Sequence, residues 1–319
     1  MLSHTREPDR VRFLARAEPA ITTLGHLSDL HATPVPLLSL EALRSKRALG
    51  WLSWHLRRRR RYRPAVLEAL LADLAHTAPD QLAITGDLTQ IALEHEFRDA
   101  AAWLARLGPP ARVCAIPGNH DAYVRVPRER GFQHWSAYLA SDPGEGEAYP
   151  SVRVRGEIAL VGVCTAQPTP PFAATGRVGA EQLARLDGVL ERLGRASLCR
   201  IVLIHHPPVA GLTSRRRSLR DAGAFGEVLR RRGAELVLHG HLHRTTLATL
   251  PGPEHPIPVA GVPSASHAGP DPARCAAYHL YQIERATRGF SIHRRVRAWD
   301  PALGRFTGRG PEAGEPIAP

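Results

Sequence analysis

Short apolar runs alternate with amphipathic stretches through most of this chain, and that alternation restricts it to a small set of folds. Residues 21–27, 82–85, 112–116, 200–204 and 235–238 read as strands. Residues 66–78, 94–107, 179–193 and 221–232 carry apolar side chains at three- and four-residue spacing, which marks helices with one buried face. The run SVRVRGEIALVGVC (151–164) reads as a hairpin turning at Arg155-Gly156-Glu157. From Thr245 onward only strands are expected, 278–283 and 290–296 being the clearest. Strands that alternate with helices imply an α/β fold, here with antiparallel strands added late in the chain.

Five segments fall at the C-terminal ends of these strands: SDLH (28–31), TGDLT (85–89), PGNHD (117–121), IHHPP (204–208) and HGHLH (239–243). Open α/β sheets place ligand sites at such ends. The segments supply Asp29, His31, Asp87, Asn119, His120, Asp121, His205, His206, His241 and His243. Carboxylate, amide and imidazole donors suit divalent metals such as Mn²⁺, Fe, Co²⁺ or Zn²⁺. On an extended chain residues i and i+2 point to one side, so Asp29 with His31, and His241 with His243, are expected to converge. One D-x-H is weak; five such segments in this order, each on a strand end, are specific. His239 and His26 are expected to pack in the interior.

The set D-x-H, G-D, G-N-H-D, H and G-H-x-H resembles the calcineurin-like metallophosphoesterase family over residues 24–243, about two thirds of the chain. The resemblance implies a four-layer α-β-β-α sandwich. It implies one metal held by Asp29, His31 and His243, a second by Asn119, His205 and His241, and Asp87 bridging both. A bridging hydroxide would then attack a phosphodiester or pyrophosphate. His120 would stabilise the transition state or protonate the leaving oxygen, and Asp121 would orient His120. The H-x-P frame of the family favours His205 over His206 as the ligand, leaving His206 behind the ligands or facing substrate. Mn²⁺ is the expected metal. Some members of the family act on cyclic nucleotides, and others on UDP-2,3-diacylglucosamine at a membrane surface.

Charge is concentrated. Residues 41–63 hold nine Lys/Arg against one Glu, and residues 211–233 hold seven Arg against two acids. These two segments account for the net charge of +12 and predict an anionic partner. The segment KRALGWLSWHLRRRRRYR (46–63) is a basic amphipathic stretch. Three readings are open: a helix packed on its own domain with Arg near its C-terminus, a lipid or membrane contact, and nucleic-acid binding, which is disfavoured. Trp51, Trp54, Arg57 and Arg58 are candidate substrate contacts from this segment, and Arg215 and Arg216 from the second basic stretch. The expected partner is an anionic phosphate-containing small molecule or lipid-linked nucleotide.

The chain is expected to divide into an extension (1–20), one domain (21–300) and a tail (301–319), whose last stretch GRGPEAGEPIAP (308–319) is Pro/Gly-rich and expected to be mobile. The domain carries the basic insertion (46–63) and a β-rich end (245–300). With 43% apolar and 23% charged residues it reads as globular, and no apolar stretch approaches the ~20 residues that span a bilayer. The N-terminal stretch, broken by Arg, Glu and Pro, is not read as a signal peptide. A cytoplasmic protein is expected, peripheral at the inner membrane surface if the lipid reading holds. The four cysteines form no C-x-x-C pair and read as buried small side chains.

Overall fold

The computed structural model describes residues 22–31, 34–269, 271–311 and 314–318; the expected extension 1–20 lies outside them. In chain order the strands are β1 (Thr22–Leu27), β2 (Gln81–Ile84), β3 (Val113–Ala115), β4 (Ser151–Arg155), β5 (Ile158–Val163), β6 (Cys199–Ile204) and β7 (Leu236–His239). They continue with β8 (Thr246–Leu250), β9 (Ile257–Gly261), β10 (Ala277–Arg285), β11 (Phe290–Asp300), β12 (Arg305–Arg309) and β13 (Glu315–Ala318). The helices are α1 (Leu40–Leu43), α2 (Arg47–Ser53), α3 (Pro64–Thr77), α4 (Glu94–Leu107), α5 (Ser136–Leu139), α6 (Ala180–Arg195) and α7 (Ala222–Arg232).

Two mixed sheets pack face to face. One runs β12-β11-β10-β1-β2-β3, with β13 also on β11, and the other runs β4-β5-β6-β7-β9-β8. The parallel strands β1, β2 and β3 of one sheet and β5, β6, β7 and β9 of the other form the two centres. Alternation along each strand sorts the side chains into layers. Leu24, Ala83, Cys114, Leu160, Ile201, Leu203 and Leu238 meet between the sheets. Leu27, Leu82, Ile84 and Val113 point out to Leu67 and Leu70 of α3 and Phe97 and Leu104 of α4. Val161, Val202 and Val237 point the other way, to Leu186 and Leu190 of α6 and Phe225 of α7. Each fully buried Leu or Val contributes roughly 1.5–3 kcal/mol from desolvation. The result is the four-layer α-β-β-α sandwich.

The stretch between β1 and α3 wraps over the end of the sandwich. α2 passes into a π-helical turn at Trp54–Arg58, where the Arg59 N–H donates to the Trp54 carbonyl. Gly50 lets α2 lie close, since a Cβ there would stand 2.4 Å from Ile91 Cγ2 and 2.9 Å from the Tyr123 hydroxyl. Trp54 is buried with Val35, Tyr62 and Ile91 and lies nearly parallel to the Tyr62 ring. Tyr62 then bridges to His267, and the Arg63 N–H donates to Ser266, before Pro64 opens α3 at a position where its missing N–H costs nothing.

The expected tail needs correction. β12 and β13 both pair antiparallel with β11, so the sheet continues beyond residue 300. Phe306 is buried against Tyr278 and Trp299. Pro and Gly suggested mobility, but the backbone here finds an open sheet edge. No helix among the described residues is long and apolar enough to cross a membrane.

Candidate metal centre

The ends of β1, β2, β3, β6 and β7 lie together at one end of the two sheets and carry all five motif segments. The side chains do not converge by strand alternation, as the sequence suggested. Asp29, His31, Asp87, His241 and His243 all have left-handed backbone, with φ between 44° and 67°. Each chain leaves its strand and turns sharply, and these turns aim the side chains inward. Non-glycine residues visit this region rarely, though Asp and His tolerate it better than most. Gly118 is needed for close approach, because a Cβ there would meet Asp87 Oδ1 at 2.2 Å.

Two groups of donors result: Asp29, His31, Asp87 and His243, and beside them His205, His206 and His241. Within each group the donor atoms lie within 4.8 Å of one another, and nearly all are buried. Asn119 Oδ1 joins the second group, 3.1 Å from His205 Nε2. Asp87 Oδ2 lies 3.4 Å from the same nitrogen and links the two groups.

The histidines are held as metal ligands are held, with one ring nitrogen tied to the protein. His31 Nδ1 donates to the Thr89 carbonyl at 3.0 Å, His205 Nδ1 to the Thr85 carbonyl at 2.7 Å, and His241 Nε2 to the Arg217 carbonyl at 2.9 Å. His243 Nδ1 meets the Tyr62 hydroxyl at 3.1 Å. A carbonyl only accepts, so in His31, His205 and His241 a proton is fixed on that nitrogen, and in the neutral ring the other keeps its lone pair. Asp29 Oδ1 lies 2.9 Å from His243 Nε2 yet is a buried oxygen without a well-formed hydrogen bond. His206 Nε2 is likewise buried and unpartnered among the described residues. Donors packed this tightly around an unsatisfied carboxylate oxygen fit divalent cations.

The electrostatics agree. Burial works against ionising Asp87, but His205 and His120 hold its carboxyl well below the usual range. Burial, then Arg58 and His120, keep His31 neutral, and burial with His206 and His205 does the same for His241. Neutral imidazole is the ligating form. His205 is the exception: burial opposes its charge, yet Asp87 raises it to about 9.

His120 faces a cavity of about 620 Å³ above these groups. Asp121 does not orient it. The Asp121 carboxylate instead accepts the backbone N–H groups of Asp87, Leu88, Thr89 and Gly118, tying the second and third segments together. His120 Nδ1 donates to the Gln90 carbonyl at 2.5 Å, and burial followed by Arg58 lowers its pKa to about 4. The family resemblance implied the pairing, but the turn at Asn119–His120 directs the two side chains apart.

The candidate substrate contacts divide. Arg57 and Arg58 line the cavity, and Arg58 lies 3.3 Å from His31 Nε2 and over the Tyr62 ring. Trp51 and Trp54 do not line it: Trp54 is core, and Trp51 Nε1 donates to the Pro36 carbonyl, pinning the chain after β1. Arg215 and Arg216 are exposed outside the cavity; Arg217 lines it and donates to the His241 carbonyl. His206 is buried beneath, held by Thr165 Oγ1 at 2.7 Å. Lys46, Tyr62, Tyr123 and Phe172 also line the cavity and went unnoticed in the sequence. Lys46 stands over the Tyr123 ring and donates to Thr169, joining the insertion to the loop opposite. His26 and His239 are packed as expected, His26 on Thr85 and His239 between Gly240 and Thr246. A larger cavity of about 960 Å³, lined by Phe132, Ser141, Tyr149 and Cys164, carries none of the candidate ligands.

The chain belongs to the calcineurin-like phosphoesterases, a family of hydrolases whose sequence pattern matches residues 22–245. It is 32% identical over 179 residues to a protein of Synechococcus described as a probable cyclic nucleotide phosphodiesterase, covering 55% of this chain and 62% of that one. It is 26% identical over 191 residues to a Mycobacterium tuberculosis protein described as a cAMP/cGMP dual specificity phosphodiesterase, covering 57% of this chain and 53% of that one. The match thus spans less than two thirds of either relative. In structure it is similar to a dimetal phosphatase of Danio rerio, with a TM-score of 0.56 at 14% identity over 93% of this chain and 98% of that one, a likeness of fold.

Proposed function

We propose that this protein is a metal-dependent phosphohydrolase that cleaves a phosphodiester or pyrophosphate bond. Asp29, His31, Asp87 and His243 would hold one divalent ion, and Asp87, Asn119, His205 and His241 the other, with His206 next to the second. The observation that carries this reading is the histidine pattern: each candidate His ligand gives one nitrogen to the protein, and the donor atoms gather in two groups, of which one holds the buried carboxylates of Asp29 and Asp87 and the other meets Asp87 through His205. Imidazole-rich donors favour Mn²⁺, Fe, Co²⁺ or Zn²⁺ over Mg²⁺, and Mn²⁺ is our first choice. The chemistry supplied by such a pair is a charge clamp on the phosphoryl oxygens and a water acidic enough to act near neutral pH.

The chain's own residues do the rest. Arg57, Arg58, Lys46 and Arg217 draw an anion into the cavity, where guanidinium groups pair with phosphate oxygens. His120, anchored through Nδ1, offers Nε2 to the leaving oxygen. Negative charge arriving beside it raises its pKa and makes it a proton donor.

An amphipathic nucleotide-linked lipid such as UDP-2,3-diacylglucosamine is our first substrate reading, supported by the exposed apolar side chains of Leu49 and Phe172 that line the cavity together with Arg57, Arg58 and Arg217. A cyclic nucleotide is the second, supported by the description of the two relatives. A cytoplasmic location belongs to the same proposal. The test is hydrolysis of bis-p-nitrophenyl phosphate, cAMP and UDP-2,3-diacylglucosamine with and without Mn²⁺. Mn²⁺-dependent cleavage of the first is expected, and the ratio of the other two decides the substrate. No cleavage of any of the three by Mn²⁺-loaded protein would reject the reading.

A further inference from the structure

We infer that the rim of the cavity docks on an anionic lipid bilayer, so that the mouth of the candidate metal centre faces the membrane surface. Among the described residues nine large apolar side chains are exposed: Leu49 and Phe172 line the cavity on opposite sides, and Leu37, Leu40, Leu43, Leu52 and Leu56 lie on the same stretch between β1 and α3 that brings Lys46, Gly50, Ser53 and Arg57 to it. Leu247 and Leu303 are the other two. Scattered exposed leucines need no explanation, but six on one segment that also lines a cavity do.

The segment is anchored to the domain at several points, which argues against the simplest alternative, that the leucines fold inward. Trp54 is buried and stacked on Tyr62, and the Tyr62–His267 bridge clamps the end of the segment. Trp51 fixes Pro36, the residue before Leu37, which is 85% exposed. With both tryptophans inward, Leu49, Leu52 and Leu56, at three- and four-residue spacing, are turned out. Phe172 adds a second sign: it is 79% exposed with φ of 62°, a backbone state that bulky residues rarely adopt.

Charge selects the occupant. Directly after Leu56 come Arg57, Arg59, Arg60 and Arg61, all exposed and without an acidic partner among the described residues. Apolar side chains flanked by unpaired arginines match the layering of an anionic leaflet, acyl chains below and phosphates above. A second copy of this chain matches less well, since a two-fold contact through the rim would bring the two arginine blocks together. The inference rests on the proposed function only in taking this cavity as the substrate's way in.

The test is co-sedimentation with vesicles of phosphatidylglycerol/phosphatidylethanolamine and of phosphatidylcholine alone, with no substrate present. Two variants accompany the wild type: Leu37→Ser/Leu40→Ser/Leu52→Ser/Leu56→Ser, and Arg59→Ser/Arg60→Ser/Arg61→Ser. Folding is checked by thermal unfolding, and none of these side chains lines the cavity. The wild type is expected to bind the anionic vesicles and to prefer them over the neutral ones. The leucine variant should lose affinity by on the order of 10²-fold or more. The arginine variant should lose roughly fivefold per charge and most of its salt dependence. Cleavage of soluble bis-p-nitrophenyl phosphate should stay at the wild-type rate in both. Vesicle binding by a folded leucine variant equal to the wild type overturns the inference. So does absence of binding by the wild type, or a wild-type dimer that the leucine variant abolishes. Vesicle binding by a protein that cleaves no phosphodiester leaves the docking face standing and rejects the proposed function instead.

Discussion

The cavity end and the flanks of this protein use the same residue types for opposite purposes. On the flanks many arginines are paired. Arg231 and Arg232 of α7 reach Asp187 of α6 at 2.7 Å each, Arg155 holds Asp142 at 2.8 Å, and Arg297 grips Asp73, which also accepts the Tyr278 hydroxyl. Around the cavity Arg57, Arg58 and Arg217, which line it, and Arg59, Arg60, Arg215 and Arg216, their neighbours in sequence, have no carboxylate partner among the described residues. Exposed pairs on the flanks add little stability, ~0–1 kcal/mol each, but they cancel field. Unpaired charge around a cavity leaves the field standing for a ligand. The backbone differs in the same way, regular in the sheets and left-handed at Asp29, His31, Asp87, His241 and His243. Strain of roughly 1 kcal/mol or more per such residue persists where the surroundings hold it and where function uses it.

The largest effect should come from the cavity. His120→Ala is expected to keep the fold and the bound metal and to lose turnover by on the order of 10²–10⁴-fold. The loss should shrink for a nitrophenyl leaving group, which needs no proton. Steady-state kinetics on good and poor leaving groups measures this, and equal losses on both would remove His120 as the acid. Next comes Trp54→Ala, which should cost about 3–5 kcal/mol of unfolding free energy in a urea titration, because it empties a core site. Loss of substrate affinity without loss of stability would return Trp54 to the substrate-binding role its sequence suggested.

Charge removal tests the contrast directly. Arg57→Ser/Arg217→Ser should lower kcat/KM for an anionic diester by about tenfold, flatten its salt dependence and leave the unfolding midpoint unchanged. Arg297→Met should do the reverse, with full activity and a loss of about 1–3 kcal/mol in stability, since it strands the half-buried Asp73. If both variants behave alike, the division between the two regions is wrong.

The smallest effect is a pH slope in stability. Burial, then Arg294 and His239, lowers His279 to about 3, and burial with His279 and His239 lowers His26 well below its ordinary range. Both are therefore neutral in the folded protein at pH values where the unfolded chain is already protonated. As pH falls through ~6.5 the unfolded state takes up protons first, so stability drops, and for His279 it keeps dropping down to about pH 3. Each such histidine contributes a slope of up to ~1.4 kcal/mol per pH unit. Urea unfolding between pH 7 and 4 should show a shallower slope in His279→Gln. An unchanged slope would assign the acid sensitivity to other groups.

The candidate ligand set was legible because its order and spacing are specific: Asp29, His31, Asp87, Asn119, His205, His241 and His243 come together as the motifs suggested. The mechanism of convergence was not legible, since left-handed turns leave no mark in a D-x-H or H-x-H string. Within 46–63 the apolar residues surround the helix, and sequence alone cannot say which face packs. The π-helical turn at Trp54–Arg58 then shifts the register, burying Trp54 and sending Arg58 to His31. In Arg215-Arg216-Arg217 nothing but backbone direction distinguishes the one that reaches the cavity. Strands β12 and β13 were hidden by Pro and Gly, whose local preference yields to the open edge of β11.

We propose that seven residues from five strand ends hold two metals. Metal analysis of the apo protein titrated with Mn²⁺, with diester hydrolysis followed in parallel, tests it most directly. Two Mn²⁺ per chain are predicted, with activity rising to its plateau only at the second equivalent, and Asp87→Asn should lose both the second ion and the activity. Full activity with one ion bound, or an Asp87→Asn protein that keeps two ions and wild-type turnover, would rule out a two-metal site bridged by Asp87.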